Sequence, residues 1–187
     1  AIALVLLLAG IADAFSNPII GYTSDRFRAR FGSRKPWLIG GSLLAAVACW
    51  YLYAPTPPVT TLYFGFWLLL AYFGWAISEI PYGAWIAEIT PSYDERTRLA
   101  AWKATFTYIG AMTFFAIPFL PIFATTDFTS ETLRWTAIVA AVALPTMVAF
   151  AVTAVPNGSA ATPTVQGGDS VRTALRSIGR NRPLIIF

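Results

Sequence analysis

The chain of 187 residues is 57% hydrophobic and 16% aromatic, and only 12% of its residues are charged. That is too little charge for the surface of an ordinary soluble domain, so the composition predicts an integral membrane protein. The sequence has no His and a single Cys, which excludes an intrachain disulfide, a His-containing catalytic triad and the common zinc sites.

Apolar segments divide the chain into five predicted membrane spans, because a helix needs about 20 mostly apolar residues to cross a bilayer. The spans are residues 1–22, 36–54, 61–89, 99–124 and 133–155. Residues 1–155 are therefore expected to form five transmembrane helices, residues 156–183 a cytoplasmic central linker with a short amphipathic helix at 170–179, and residues 184–187 the start of the next span. Because both ends of the chain lie in apolar segments, we expect a piece of a longer protein.

The net charge of +4 comes from basic residues in particular connections, which indicates membrane topology and no nucleic-acid binding. These connections are expected to be cytoplasmic, and the segments 55–60 and 125–132, which contain no basic residue, to face outward. We expect a multi-pass protein of the cell (inner) membrane. The basic residues that orient it are Arg26, Arg28, Arg30, Arg34 and Lys35, then Arg96 and Arg98, then Arg172, Arg176, Arg180 and Arg182.

Asp13 is the first candidate functional residue. It follows an almost wholly aliphatic segment of the first span, where an isolated charge is expensive and marks a functional site by default. Asp13, Ser16 and Asn17 have the spacing i, i+3 and i+4, so their side-chain oxygens share one helix face. This face is a candidate wall of a cation site.

Glu79 is a second acidic residue at membrane depth, in the third span. Trp75 and Tyr82 lie near it at helical spacing, and Pro81 removes a backbone hydrogen bond beside it. If Asp13 and Glu79 adjoin, either a cation lies between them or one of them holds a proton. The sequence leaves open sodium, a proton, or an alternative in which each acid pairs with a basic residue for helix packing. The aromatic residues suit a sugar ring or ordinary packing.

A loop pattern, G-x-x-x-D-R followed by G-x-R-K, links the first two spans, and its residues are Gly21, Asp25, Arg26, Gly32, Arg34 and Lys35. The pattern resembles the loop between the second and third helices of the major facilitator superfamily. With DAFSNPIIG before it and RKPW after it, it resembles the glycoside-pentoside-hexuronide:cation symporters, the family of the melibiose carrier. EIPYGAW at 79–85, DERTRL at 94–99 and NRP at 181–183 extend the resemblance.

The resemblance implies an all-α, polytopic bundle: the amino-terminal six-helix half of a major facilitator fold, from its second helix to the start of the seventh. It also implies roles. Asp13 corresponds to a cation-site residue, and Glu79 to an acidic position that serves both cation and sugar. Asn17 stands where the melibiose carrier has a second Asp, which favours a proton over sodium. Lys103 falls at or beside an Arg that binds sugar hydroxyls, and Asp25 with Arg26 would belong to a cytoplasmic gate.

These features predict a secondary active transporter that couples a cation, H⁺ or Na⁺, to a sugar or glycoside by alternating access. We expect no catalytic residue, no organic cofactor and no metal other than sodium. The expected partners are the small-molecule substrate, membrane lipid and the remaining transmembrane helices. Three alternatives stay open: a transporter of lysolipid or another amphiphile, a non-transporting sensor, and an intramembrane acid protease with Asp13 and Glu79 as its dyad.

Overall fold

A computed structural model describes residues 2–90 and 92–158 as a bundle of long helices. No strand occurs in these residues, which confirms the predicted all-α fold. A short 3-10 turn, Ile117–Phe119, follows the fourth helix. The five long helices are α1 (Ile2–Phe31), α2 (Lys35–Tyr53), α3 (Thr61–Ile89), α4 (Tyr93–Ala116) and α5 (Ser130–Ala154).

Four of these helices, α1 from Val5 together with α2, α3 and α5, are long and apolar enough to cross a membrane. Large apolar side chains such as Leu7, Phe15 and Phe150 are exposed on the outside of the bundle. Such a surface is stable where lipid or further helices cover it. The chain is therefore an integral, multi-pass membrane protein, as the composition predicts.

Side-chain caps set the starts of three helices. The hydroxyl of Thr60 accepts a hydrogen bond from the amide of Tyr63 at 3.1 Å, and α3 begins at the predicted residue. Ser92 caps α4 in the same way, so this helix begins before the predicted start at residue 99 and includes its charged first turns. Thr129 caps α5, with the amide of Thr132 at 3.3 Å from its hydroxyl. The cap of α4 precedes its apolar stretch, which is why hydropathy alone starts this helix too late.

The end of α1 differs from the prediction of a basic loop after residue 22. The helix continues to Phe31 and stops at Gly32, whose φ of +74° is a left-handed conformation that suits glycine. The amide of Gly32 donates to the carbonyl of Arg28 at 2.7 Å and closes the last turn. Asp25 and Arg26 therefore lie on a helix. Their charges do not break it, because water is available at the membrane surface and basic side chains favour a helix C-terminus.

The antiparallel helices α2 and α3 approach closely through glycine. A Cβ on Gly41 would lie 2.6 Å from the amide nitrogen of Ser78, and a Cβ on Gly74 would lie 2.6 Å from the amide nitrogen of Ala45. Small residues permit this approach in membrane bundles, where tight packing replaces the hydrophobic effect between helices. The hydroxyl of Ser78 also donates to the carbonyl of Leu38 at 3.0 Å. Helix α2 is thus fixed against α3, and it also packs on α5.

Helix α1 runs parallel to α3 and packs on it. Val5 lies beside Gly65, and Gly21 lies beside Ile80, so residues of α1 are level with α3 residues 59 or 60 positions later. This register positions the candidate acids relative to each other. The predicted linker helix at 170–179 and the predicted span start at 184–187 lie outside the described residues.

Candidate ion and substrate site

Asp13 has two polar neighbours on its own helix, as the spacing predicts. The side-chain amide of Asn17 donates to Asp13 Oδ2 at 3.4 Å, and the hydroxyl of Ser16 donates to the backbone carbonyl of Asp13 at 3.1 Å. The other polar atom of Asn17, Oδ1, is buried and has no hydrogen-bond partner within the described part of the chain. Buried polar atoms normally have a partner, so a free acceptor oxygen beside a carboxylate fits a cation or a proton donor.

A cavity of about 440 Å³ opens beside Asp13, between α1 and α3. This volume lies within the range of small-molecule sites. Asp13 and Ser16 are the polar members of a wall that is otherwise mostly aliphatic and aromatic. The remaining lining residues are Ala9, Ala12, Phe66, Leu69, Leu70, Tyr72 and Phe73.

Glu79 meets two other predicted substrate residues. The ammonium group of Lys103, on α4, donates to Glu79 Oε1 and forms an ion pair with it. The same ammonium lies 5.2 Å from the centre of the Tyr82 ring, a cation–π distance. The Glu79 and Lys103 side chains remain 36% and 41% exposed, so both are accessible. Trp75 shares the helix with Glu79 but is exposed, and no described hydrogen bond joins it to this group.

The register of α1 and α3 separates the two acids along the bundle. Asp13 is level with Tyr72 and Phe73, which line the same cavity, whereas Glu79 is level with Ile19 and Ile20. The offset of six to seven residues corresponds to about 10 Å along the helices. Each acid has its own described partner, Asn17 or Lys103. A single cation shared by both carboxylates stays a prediction.

An ionic cluster, buried except for the exposed Asp25, lies at the end of the bundle that is predicted to be cytoplasmic. Arg34, at the start of α2, donates from Nε to Glu88 Oε1 at 3.0 Å and from Nη1 to Asp25 on α1. Arg28 contacts the other Glu88 oxygen at 2.9 Å. Arg34 also donates to the hydroxyl of Ser24 at 3.3 Å. The cluster joins α1, α2 and α3 by groups that neutralise one another, which buried charges require.

The predicted gate residues divide between this cluster and its surroundings. Asp25 and Arg34 belong to it, and Gly32 supplies the turn that brings Arg34 back toward α1. Arg26 is exposed and reaches the hydroxyl of Tyr22 at 3.4 Å. Gly21 lies against Ile80 of α3.

Glu88 is the member of the cluster that the sequence analysis missed. It lies near the end of α3 in the segment Ile-Ala-Glu-Ile, where its charge resembles an ordinary surface residue. The sequence signal that could have identified Glu88 is its position at the predicted cytoplasmic end of a span, on the same side of the membrane as a connection rich in Arg. A carboxylate at that place is the natural partner of those cations.

Lys35 and Trp85 hold the C-terminus of α5. The Lys35 ammonium donates to the carbonyls of Val152 and Val155 at 2.7 and 2.6 Å, where carbonyls of the last helical turn lack partners within the helix. It also lies 5.6 Å from the centre of the Trp85 ring, and the Trp85 indole donates to the carbonyl of Pro156 at 3.2 Å. Lys35 is thus a link to α5, separate from the Arg34 cluster.

Apolar spans, charged groups at membrane depth and a neutralised ionic cluster at one end define the class: a polytopic helical membrane protein with the polar groups that transport proteins use. The family model of MFS/sugar transport proteins matches residues 1–187. The chain therefore belongs to that family, within the major facilitator superfamily, and is similar to the glycoside-pentoside-hexuronide:cation symporters.

Several curated proteins are similar to the chain. Major facilitator superfamily domain-containing protein 12 of Equus caballus is 31% identical over 128 residues, which are 63% of this chain and 27% of the relative. An uncharacterized symporter of Synechocystis sp. is 33% identical over 58% of the chain and 22% of the relative. The inner membrane symporter YicJ of Escherichia coli is 30% identical over 58% and 24%. The matches thus span about a quarter of these relatives' lengths, and no solved structure matches significantly.

Proposed function

We propose that the full-length protein is a symporter that couples the movement of H⁺ or Na⁺ to that of a glycoside or related sugar by alternating access. One observation carries this proposal. Asp13 lies at membrane depth beside an apolar cavity, and the neighbouring Asn17 presents a buried oxygen without a described partner. A bound cation or proton would satisfy both groups, and a transporter can use that binding energy for coupling.

The group of Glu79, Tyr82 and Lys103 suits a sugar. A carboxylate and an ammonium supply an acceptor and a donor for hydroxyl groups, and an aromatic ring can stack on the apolar face of a pyranose. Because the ion pair is partly exposed, hydroxyl groups of a substrate could replace its water contacts without moving the helices. The remaining transmembrane helices would complete the pocket.

The cluster of Asp25, Arg28, Arg34 and Glu88 would act as the cytoplasmic gate. It fixes the ends of three helices while its charges are paired, and separation of the pairs would release them. A bistable ionic interface of this kind suits a switch between inward-open and outward-open states. In this proposal the transport cycle changes no covalent bond and needs no cofactor besides the coupling ion.

Uptake by the full-length protein in proteoliposomes tests this function. We expect accumulation of one or more labelled glycosides only under an imposed proton or sodium gradient, and loss of accumulation in Glu79→Gln. Asp94→Asn, an exposed substitution at the start of α4, serves as the control and should transport normally. Uptake that does not depend on an ion gradient would contradict the proposed coupling. Full uptake by Glu79→Gln would contradict the proposed role of Glu79.

A second candidate function is the transport of an amphiphile such as a lysolipid. The observation that favours it is the cavity beside Asp13, whose wall is mostly apolar. Transport of labelled lysolipid without transport of any glycoside, in the same proteoliposomes, would select this alternative.

A further inference from the structure

Three charges of the described helices stand alone in long stretches without another Asp, Glu, Lys or Arg. Asp13 is the only Asp, Glu, Lys or Arg in residues 1–24, Glu79 is the only one in residues 61–87, and Lys103 is the only one in residues 99–126. Isolated charges at such positions are unfavourable, and their number is small because each needs compensation. Two acids and one base leave a deficit of one positive charge.

The structure assigns the one base to Glu79. Lys103 reaches across from α4 to the Glu79 carboxylate and places its ammonium over the Tyr82 ring, so two favourable contacts fix the position of the charge. Asp13 has no such partner among the described residues: its side chain accepts only from the neutral amide of Asn17. The missing positive charge therefore belongs at Asp13.

We infer that Lys103 is a built-in counter-cation that occupies the place of an external ion at Glu79 and restricts the coupling ion to Asp13. This inference deepens the proposed function and rests on it for the meaning of the ion. Its physical basis is competition, since a carboxylate that already holds an ammonium at hydrogen-bond distance attracts a second cation weakly. Lys103 is then a residue that determines ion number, in addition to any contact with substrate.

Equilibrium binding of radioactive sodium to the purified full-length protein at fixed pH tests the inference. Lys103→Gln exposes the Glu79 carboxylate, and we expect the variant to bind one more cation per chain than the parent protein, counted as Na⁺ or, by proton uptake on the same sample, as H⁺. Lys103→Arg retains the positive charge and should leave the number unchanged. The double variant Glu79→Gln, Lys103→Gln removes both charges and should also leave it unchanged. Monodisperse Lys103→Gln protein that binds neither an additional Na⁺ nor an additional proton overturns the inference.

A chemical measurement keeps the test independent of the folding of the Lys103→Gln variant. A water-soluble, amine-reactive acylating reagent should modify Lys103 several-fold faster in Glu79→Gln than in the parent protein. Mass spectrometry measures the rate of modification. Equal rates show that Glu79 does not hold the ammonium and overturn the inference. Failure of gradient-driven uptake refutes the proposed function but does not change the number of ions that the protein binds. Failure of the proposed function and failure of the inference are therefore distinguishable.

Discussion

Arg34 and Glu88 form a buried ion pair in which Arg34 Nε lies 3.0 Å from Glu88 Oε1, with the two side chains 7% and 9% exposed. The pair connects the start of α2 to the end of α3, two places that are 54 residues apart in the chain. Arg28 binds the second oxygen of the same carboxylate at 2.9 Å. Glu88 is therefore the carboxylate of the ionic cluster that contacts both arginines.

Glu88→Gln should destabilise the bundle strongly. The substitution preserves size but removes the charge that binds both Arg28 and Arg34, leaving Asp25 as the described carboxylate on Arg34, and breaking a buried pair in this way costs about 3–5 kcal/mol. Thermal unfolding of the purified full-length protein measures the loss. Glu131→Gln, at an exposed position of α5, is the control and should change stability little. Equal melting temperatures of the Glu88→Gln and parent proteins would show that the cluster does not hold the helices.

Gly41→Ala should disturb the contact between α2 and α3. The added methyl group would meet the backbone amide of Ser78, which cannot move without displacing the helix, and overpacking of this kind costs about 1–3 kcal/mol. The neighbouring Gly40→Ala is a matched control, because no other group lies within 4 Å of its Cβ position. Yield of monodisperse protein and thermal unfolding compare the two. If both variants behave alike, the close approach of α2 and α3 is absent in the membrane.

Lys35→Gln should loosen the end of α5. The variant loses a charged donor to the carbonyls of Val152 and Val155, an effect of about 1–2 kcal/mol on the last turn. Limited proteolysis after residue 155 should therefore become faster. Arg30→Gln removes an equal charge from an exposed position nearby and should leave the rate unchanged. Matching rates in the two variants would mean that Lys35 does not secure this helix end.

Asn17→Asp should shift the coupling ion toward sodium. It places a second carboxylate one helical turn after Asp13, and two adjacent carboxylates favour a bound metal cation more than one carboxylate and an amide do. Uptake is measured at fixed pH with and without sodium. Sodium should stimulate uptake by Asn17→Asp more than uptake by the parent protein. Asn157→Asp adds the same charge at the end of the described chain, away from Asp13, and should produce no shift. If sodium does not stimulate uptake by Asn17→Asp, Asn17 does not belong to the ion site.

The sequence predicted the fold better than it predicted the contacts. The starts of α2 and α3 follow from local signals, namely Pro36 in the first turn of α2 and the Thr60 cap of α3. Helix α1 is longer than its predicted span because the apolar segment ends where the charged residues begin, whereas the helix continues through them. Asp25 and Arg28 are compatible with a helix in water. Local pattern cannot indicate where a helix continues beyond the membrane.

The sequence pattern could nominate candidate residues one by one, but it could not give their pairings. Asp13, Asn17 and Glu79 stood out as polar residues in apolar spans, and the family resemblance nominated Lys103. The pairing of an acid with a base was one of the alternatives. The choice of Lys103 for Glu79 depends on the relative placement of α3 and α4, which the pattern of neither helix contains. Glu88 was missed for the same reason, because its partners come from other helices.

The most direct test of the central claim, that the coupling ion binds at Asp13, compares two transport modes in Asp13→Asn. Substrate exchange across proteoliposomes needs no net ion movement, whereas accumulation against a gradient requires a bound ion. We predict that Asp13→Asn retains exchange and loses accumulation, while Asp127→Asn, in an exposed connection, retains both. Accumulation by Asp13→Asn at the level of the parent protein would contradict the claim.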